Sequence, residues 1–124
     1  MKKSKTATTE QLVDVVVNAI QDVKGESIKA INLKGVTHAV ADYFIVCNGN
    51  SHTQVQAIAR SVEEEAEKQL DDTPWHKEGI QNAEWVLLDF SDVVVHIFYK
   101  DAREFYNLEE LWADGEVKEY EYSA

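Results

Sequence analysis

Hydrophobic residues recur at helical spacing in two long segments of the chain. In the first, Leu12, Val16, Ile20 and Val23 form one apolar stripe at steps of three and four residues. Thr8 and Gln11 have the spacing of a capping box, and Gly25 supplies a stop, so a helix is predicted from residue 8 to about residue 24.

The second helical segment follows the turn Gly49-Asn50-Ser51. Ser51 and Gln54 have capping-box spacing, and residues 71–74 (DDTP) end the pattern. The segment is predicted to be the longest helix, with glutamates on its outer face. Its apolar stripe consists of Val55, Ile58, Ala59, Val62, Ala66 and Leu70.

Between these helices, shorter apolar runs predict strands. Residues 43–47 form an unbroken run typical of a central strand covered on both faces, and residues 27–33 and 75–78 are weaker candidates. Residues 85–90 and 93–99 are predicted to form a β-hairpin. Strand, helix and strand between residues 43 and 90 predict a parallel pair with a right-handed crossover, and the hairpin adds an antiparallel strand. The predicted fold is therefore α/β, a mixed β-sheet with flanking helices.

The C-terminal part predicts one more helix and a tail. The helix opens at Asp101 and Glu104, places Phe105, Leu108, Leu111 and Trp112 on its apolar side, and ends at Gly115. Residues 1–7 are predicted to be a flexible basic tail, residues 8–114 a single domain, and residues 115–124 an acidic, frayed tail.

Charge narrows the choice of partners. The chain of 124 residues has a formal net charge of −11, and from Val62 onward 18 acidic residues face only five basic ones. Free nucleic acid is a poor partner for such a surface, because phosphate binding relies on Lys and Arg. A basic protein partner fits, although the acidic residues could serve solubility alone.

Cysteine content and hydropathy indicate the cellular compartment in which the protein is expected. The only cysteine, Cys47, lies in an apolar run and is interpreted as a buried small hydrophobe, which fits a reducing environment. No run approaches the roughly 20 apolar residues that a membrane span needs. The basic start lacks the apolar core of a signal peptide, so a cytoplasmic location without membrane contact is expected.

Sequence motifs typical of catalytic or metal sites are only weakly matched in this chain. The Gly49-Asn50-Ser51 turn lacks the spacing of a phosphate-binding loop and is interpreted as a turn with an N-cap. Asp42, Asp89, Asp92 and His96 could be drawn into a metal site, but they lie on separate elements and the histidines are scattered. No metal or cofactor is therefore predicted.

Alternation along the hairpin separates two faces. Trp85, Leu87 and Asp89 point one way in the first strand, while Val94, His96 and Phe98 share a face of the second. The aliphatic sets on the opposite faces belong beneath helices. If pairing brings Trp85, Asp89, His96 and Phe98 together, they form an aromatic and polar patch typical of protein interfaces, unless a helix covers it.

At this hairpin the chain resembles the ribosomal silencing factor family, also called Iojap-like. The resemblance runs from about residue 10 to residue 112. The matching segments are residues 41–46 (ADYFIV), 49–55 (GNSHTQV), 78–79 (EG), 83–100 (AEWVLLDFSDVVVHIFYK) and 103–112 (REFYNLEELW).

The resemblance implies a nucleotidyltransferase-like core lacking catalytic residues, hence no enzyme activity. It also implies binding to a basic protein of the large ribosomal subunit, a block to subunit association, and repression of translation. The motif positions of the family map to Glu78, Gly79, Trp85, Asp89, Asp92, His96, Arg103, Tyr106, Leu108 and Trp112. Partner binding is assigned to Trp85, Asp89, Asp92, His96 and Phe98, together with Glu78 and Tyr99.

Two alternatives remain open. One is an active or degenerate nucleotidyltransferase or metal-dependent enzyme using Asp42, Asp89, Asp92 or His96. The other is an unrelated dimeric adaptor, since the apolar face of the hairpin could equally form a homodimer interface.

Overall fold

The chain forms both helices and strands, with two strands after the first helix and three after the second. The computed structural model describes residues 8–120. Its elements are α1 (Thr9–Asp22), β1 (Glu26–Asn32), β2 (Tyr43–Gly49), α2 (His52–Leu70), β3 (His76–Glu78), β4 (Trp85–Asp89), β5 (Val93–Tyr99), α3 (Lys100–Tyr106), α4 (Leu108–Leu111) and β6 (Glu116–Tyr120). The flexible tail predicted over residues 1–7 lies outside the described residues.

Helix α1 begins at the predicted capping box. The Thr8 hydroxyl accepts the Gln11 N–H at 3.1 Å, and the Gln11 side chain accepts the Thr8 N–H at 2.7 Å. The helix ends differently from the prediction, because Lys24 and not Gly25 adopts the left-handed conformation, with φ of 65°. Gly25 is needed for space: a Cβ there would lie 2.3 Å from Cγ2 of Ile20.

The predicted central strand and longest helix are confirmed. β2 is almost entirely buried, and the 19 residues of α2 exceed every other helix among residues 8–120. The Ser51 hydroxyl accepts the Gln54 N–H at 3.0 Å, but the Gln54 side chain accepts the N–H of Asn50 instead of closing a capping box on Ser51.

The described strands form one mixed sheet in the order β3-β4-β5-β2-β1-β6. The predicted parallel pairing of residues 43–47 with residues 85–90 is wrong. β2 pairs in parallel with β5, whereas β4 is antiparallel to β5. After α2 the chain enters the short strand β3 and then reverses direction into β4, which pairs antiparallel with β3.

Helices α1 and α2 cover one face of the sheet, here called the helix face. Its core is mainly aliphatic and includes Ile20, Ile45, Ile58, Leu88 and Ile97, each with no exposed surface. The opposite face, here called the outer face, holds a smaller core that contains Phe44, Val46, Val94 and Phe98. The α/β prediction with flanking helices is therefore confirmed, while the nucleotidyltransferase-like relationship stays a prediction.

The C-terminal segment departs from the sequence prediction. One helix was expected, but Asn107, with φ of 48°, interrupts it and separates α3 from α4. Asn tolerates this left-handed backbone better than most residues. Leu108 is buried as predicted, whereas Phe105 and Leu111 are 81% and 76% exposed, so their predicted place in the core is wrong.

The predicted frayed tail is also wrong for residues 116–120. These residues form β6, which pairs antiparallel with β1 from Ile28↔Tyr120 to Asn32↔Glu116. Ladder hydrogen bonds to a strand already in the sheet stabilise a sequence whose own alternation is weak.

Candidate docking surface

Strand pairing brings the aromatic and polar residues of the hairpin to one face. In the register of β4 and β5, Trp85 lies opposite Phe98, Leu87 opposite His96, and Asp89 opposite Val94. Directly opposed residues of an antiparallel pair point to the same side. The predicted common face for Trp85, Asp89, His96 and Phe98 is therefore confirmed, and it is the outer face.

Burial divides this set into two depths. Phe98 has no exposed surface and His96 is 4% exposed, whereas Trp85, Leu87 and Asp89 are half-buried. Phe98 and His96 therefore do not present side chains to a partner in this conformation, contrary to the contact predicted for them. They lie directly beneath the half-buried side chains of Trp85 and Leu87.

His96 supports Trp85 through a partly buried hydrogen bond. The Trp85 Nε1–H donates to Nδ1 of His96 at 3.1 Å, and the Phe44 ring packs edge-on against the imidazole with centroids 4.7 Å apart. Burial lowers the pKa of His96 to about 4, so the ring is neutral near pH 7. Because Nδ1 accepts a hydrogen bond, Nε2 carries the proton, and that buried atom has no hydrogen-bond partner among residues 8–120.

Strand β3 widens the outer face at the edge of the sheet. Glu78 lies opposite Leu87 and His76 lies opposite Asp89, and both β3 residues are exposed. His76 Nε2 is 2.6 Å from the Glu78 carboxylate. Glu78, predicted to bind a partner, thus places an exposed acidic side chain opposite Leu87.

Two aromatic residues of α3 border the same surface. The Tyr106 ring lies 4.8 Å from the Trp85 ring and 6.3 Å from the Phe98 ring, and Phe105 packs edge-on against Tyr106 at 5.1 Å. Tyr106 is 47% exposed. A continuous aromatic path therefore runs from solvent at Phe105 to the buried Phe98.

We call the solvent-facing part of this region the docking strip, and it consists of Glu78, Trp85, Leu87, Asp89, Phe105 and Tyr106. Sequence reasoning missed Phe105 as a surface residue, because helical spacing and apolar character assigned it to the core, and it placed Leu87 on the face of Trp85 without assigning it a contact. Asn107 could have indicated that Phe105 is exposed, because it ends α3 before the predicted apolar stripe continues to Leu108, Leu111 and Trp112.

Asp92 and Tyr99 lie away from the docking strip. Asp92, in the turn between β4 and β5, accepts the Thr9 hydroxyl at 3.2 Å, and its backbone oxygen accepts the N–H groups of Asp42 and Tyr43. Tyr99 follows Phe98 and so points to the helix face, where its ring stacks on His52 at 4.4 Å. Both residues hold elements together in this structure.

The geometry does not assemble the metal site considered from sequence. Over residues 8–120, no three His, Cys, Asp or Glu side chains come close enough to hold an ion. Asp89 Oδ1 accepts the Ser91 N–H at 2.7 Å, which fixes the hairpin turn. Ser51 acts as the N-cap of α2, in line with the interpretation of the Gly49-Asn50-Ser51 turn.

Cys47 is a core residue, as predicted. It has no exposed surface, and burial raises the pKa of its thiol to about 12. A thiol that stays protonated is a poor nucleophile. Among the described helices, none combines the length and hydropathy that crossing a bilayer requires.

Comparison with known proteins gives a consistent result over nearly the full chain. Residues 6–123 match the family model described as "Ribosomal silencing factor during starvation" (RsfS). The chain is 45% identical to ribosomal silencing factor RsfS of Halalkalibacterium halodurans over 114 residues, covering 92% of this chain and 96% of that protein. It is 41% identical to RsfS of Bacillus subtilis over 113 residues, covering 91% and 94%.

A solved structure supports the same assignment. An X-ray crystal structure of a protein from Chromobacterium violaceum superposes with a TM-score of 0.82 at 31% identity, covering 86% of this chain and 88% of that one. Fold, motif order and near-complete coverage therefore agree with the resemblance seen at the hairpin. The chain belongs to the RsfS family of ribosomal silencing factors, which act in translation regulation and associate with the ribosome.

Proposed function

We propose that this protein binds a basic protein of the large ribosomal subunit through the docking strip and thereby blocks association of the two subunits. The observation that carries the proposal is the docking strip itself, in which aromatic side chains and carboxylates share one exposed surface. Trp85 and Tyr106 lie 4.8 Å apart at its centre, and Glu78, opposite Leu87, and Asp89, further along β4, add carboxylates on the same face.

The chemistry of the docking strip suits a basic partner. Tyr and Trp supply contact area with little loss of side-chain freedom and are the residue types most often found at the energetic centre of interfaces. Glu78 and Asp89 offer carboxylates to Lys or Arg of the partner, which speeds association and fixes orientation. The formal net charge of −11 works in the same direction.

Phe98 and His96 act as the support of the docking strip and not as its contact residues. Phe98 fills the space beneath Trp85, with ring centroids 5.0 Å apart, and His96 holds the indole N–H. The Trp85 ring is therefore pre-oriented before a partner arrives, which lowers the entropy lost on binding.

Steric occlusion explains how a small domain could silence a ribosome. A stable interface needs only about 800 Å² on each partner. A domain of 14.1 kDa held at the subunit-joining face would then occupy space that the small subunit requires. This mechanism needs no catalytic group, in line with a family that is not a known enzyme family.

The proposal is tested with purified ribosomal subunits. The wild-type chain is expected to co-sediment with isolated large subunits and to reduce the yield of joined ribosomes when small subunits are added. Failure to co-sediment, or normal joining in the presence of bound protein, would refute the proposal.

Trp85→Ala tests the location of the interface. We expect it to weaken binding to large subunits by more than about 1 kcal/mol, because truncating a central aromatic residue removes both contact area and its support of Tyr106. The control is Val117→Ala, which removes an exposed apolar side chain from β6 at the opposite edge of the sheet. A folded Trp85→Ala variant that binds as tightly as wild type would show that the interface lies elsewhere.

Self-association is a second use of the same exposed aromatic residues. Phe105 is 81% exposed, and burying such a side chain against a second copy would be favourable. Light scattering of the protein alone and with large subunits separates a homodimer from a complex with the ribosome.

A further inference from the structure

An ion pair joins α3 to α4 across the interruption at Asn107. Arg103 Nε donates to Glu109 Oε1 at 3.0 Å, and Arg103 Nη2 donates to Glu109 Oε2 at 3.1 Å, so the pair is bidentate. It spans Asn107, whose left-handed backbone ends α3. Bidentate pairs fix geometry as well as charge, because both planar groups must align.

The same guanidinium also anchors the C-terminal segment to the sheet. Arg103 Nη1 donates to the backbone oxygen of Ser27 at 2.6 Å and to Oδ1 of Asn48 at 2.9 Å. Ser27, with φ of 52°, lies where the register of β1 with β2 shifts. Lys29 on β1 adds a third cationic contact, with Nζ 3.1 Å from the Glu109 carboxylate.

This polar anchor is partly shielded from water. The Arg103 side chain is only 11% exposed and the Glu109 side chain 24% exposed. The hydrogen bond from Arg103, followed by that from Lys29, lowers the pKa of the Glu109 carboxyl, so the pair stays ionised. Shielded, bidentate pairs hold side chains in one geometry far better than exposed ones.

Apolar packing gives α3 little orientation of its own. Ala102 is the only buried residue of α3, and Leu108 is the only buried residue of α4. Tyr106, however, lies one helical turn after Arg103 and must meet the Trp85 ring at 4.8 Å. The four hydrogen bonds of Arg103 tie α3, which carries the Tyr106 and Phe105 rings, to β1, β2 and α4.

We infer that Arg103 and Glu109 form a positioning clamp that holds the aromatic residues of α3 against Trp85 and so shapes the docking strip for its partner. Arg103 touches no partner in this arrangement and acts through Tyr106. The inference rests on the proposed function for its binding readout, but the position of Tyr106 can be measured without any ribosome.

The test compares three single variants with a matched control. Arg103→Met keeps the length of the side chain and removes all four hydrogen bonds, Arg103→Lys keeps the charge without the fork, and Glu109→Gln keeps the shape without the charge. The control, Lys34→Met, breaks the Lys34–Glu10 ion pair, in which both side chains are about half exposed. Each variant is measured well below its unfolding temperature, for affinity to large subunits and for nuclear Overhauser contacts between the Tyr106 and Trp85 rings.

We expect Arg103→Met to lower affinity about tenfold and to lose the Tyr106–Trp85 ring contacts, while Lys34→Met keeps both. Arg103→Lys should restore less than half of the lost free energy of binding, since a single ammonium cannot reach three acceptors in a fixed fork. The double variant Arg103→Met/Glu109→Gln should bind no more weakly than Arg103→Met alone, because the two residues act as one unit.

The outcomes separate the clamp from the proposed function. If wild type does not bind large subunits, the proposed function fails and the clamp is judged on the ring contacts alone. If Arg103→Met keeps those contacts, or loses them without losing affinity where wild type binds, the clamp is refuted. Should Arg103→Met fail to fold, Glu109→Gln and Arg103→Lys decide the question by the same two readouts.

Discussion

The two faces of the sheet differ in what covers them and in the side chains that they carry. On the helix face, α1 and α2 lie over an aliphatic core in which Ile58, Leu88 and Ile97 have no exposed surface. On the outer face, two short helices cover only part of a smaller core that mixes aliphatic and aromatic side chains, and Trp85 and Leu87 remain half-buried at the edge of that cover.

This difference separates stability from recognition. Aliphatic side chains packed between a sheet and two long helices contribute to folding in proportion to the area they bury. Aromatic side chains beside carboxylates, left partly open, retain contact area that a partner can bury. The hairpin serves both purposes because the residues of each strand point alternately to the two faces.

The largest expected effect is a loss of stability from the helix face. Ile97→Ala should lower the free energy of unfolding by about 3 kcal/mol, because it leaves a cavity in a closed core. Leu87→Ala, one residue pair away on the outer face, should cost only about 1.5 kcal/mol, since Leu87 is half-buried. Urea unfolding of both variants measures the difference.

Binding should show the reverse order. Once folded, Ile97→Ala is expected to bind large subunits within about twofold of wild type, whereas Leu87→Ala should bind about fivefold more weakly. If the two variants lose affinity equally, the division of labour between the faces is wrong.

Sequence periodicity predicted the helix face well and the outer face poorly. The stripes of α1 and α2 repeat at helical spacing because both helices pack on the helix-face core, and the unbroken run at residues 43–47 reflects burial on both faces of the sheet. The exposure of Phe105 depends on the backbone of Asn107, and the burial of Phe98 depends on a segment that follows it in sequence.

The sequence also did not predict how strands that are far apart along the chain pair with one another. The alternation of β4 and β5 correctly predicted that Trp85 and His96 share a face, because hairpin pairing is local. The parallel partner of β2 and the addition of β6 to β1 depend on contacts between residues far apart in sequence. The family resemblance assigned Glu78, Asp89, Asp92 and Tyr99 alike to partner binding and could not show that Asp92 and Tyr99 lie away from the docking strip.

An effect of intermediate size is expected from the buried imidazole of the outer face. Folding lowers the pKa of His96 to about 4 from an ordinary value near 6.5, so below pH 6.5 the unfolded chain takes up a proton that the folded chain does not. The contribution of the neutral His96 imidazole to the free energy of unfolding is complete above pH 6.5 and is lost as the pH falls towards 4. Between pH 7 and pH 5 the loss should be about 2 kcal/mol.

The variant His96→Gln isolates this contribution, because glutamine does not titrate and its amide oxygen can still accept from the Trp85 indole. We expect unfolding curves of wild type to weaken between pH 7 and pH 5 by about 2 kcal/mol more than those of His96→Gln. Equal slopes for the two proteins would mean that the imidazole is not buried in its neutral form. His96 is the one buried histidine among residues 8–120, so the comparison tests the outer face specifically.

The smallest expected effect compares one carboxylate on each side of the sheet. Glu78 lies on the docking strip and Glu64 lies on α2, both are exposed, and each of Glu78→Gln and Glu64→Gln removes a single charge. Steering by charge acts mainly on the association rate and is screened by salt. We therefore expect Glu78→Gln to slow association with large subunits about twofold at low ionic strength, with Glu64→Gln near wild type.

Stopped-flow association, measured at low ionic strength and at 0.5 M salt, tests this expectation. The effect of Glu78→Gln should disappear at 0.5 M salt, where the Debye length is only about 4 Å. Equal slowing by the two variants would mean that net charge alone attracts the partner, and the acidic edge of the docking strip would then have no part in orienting it.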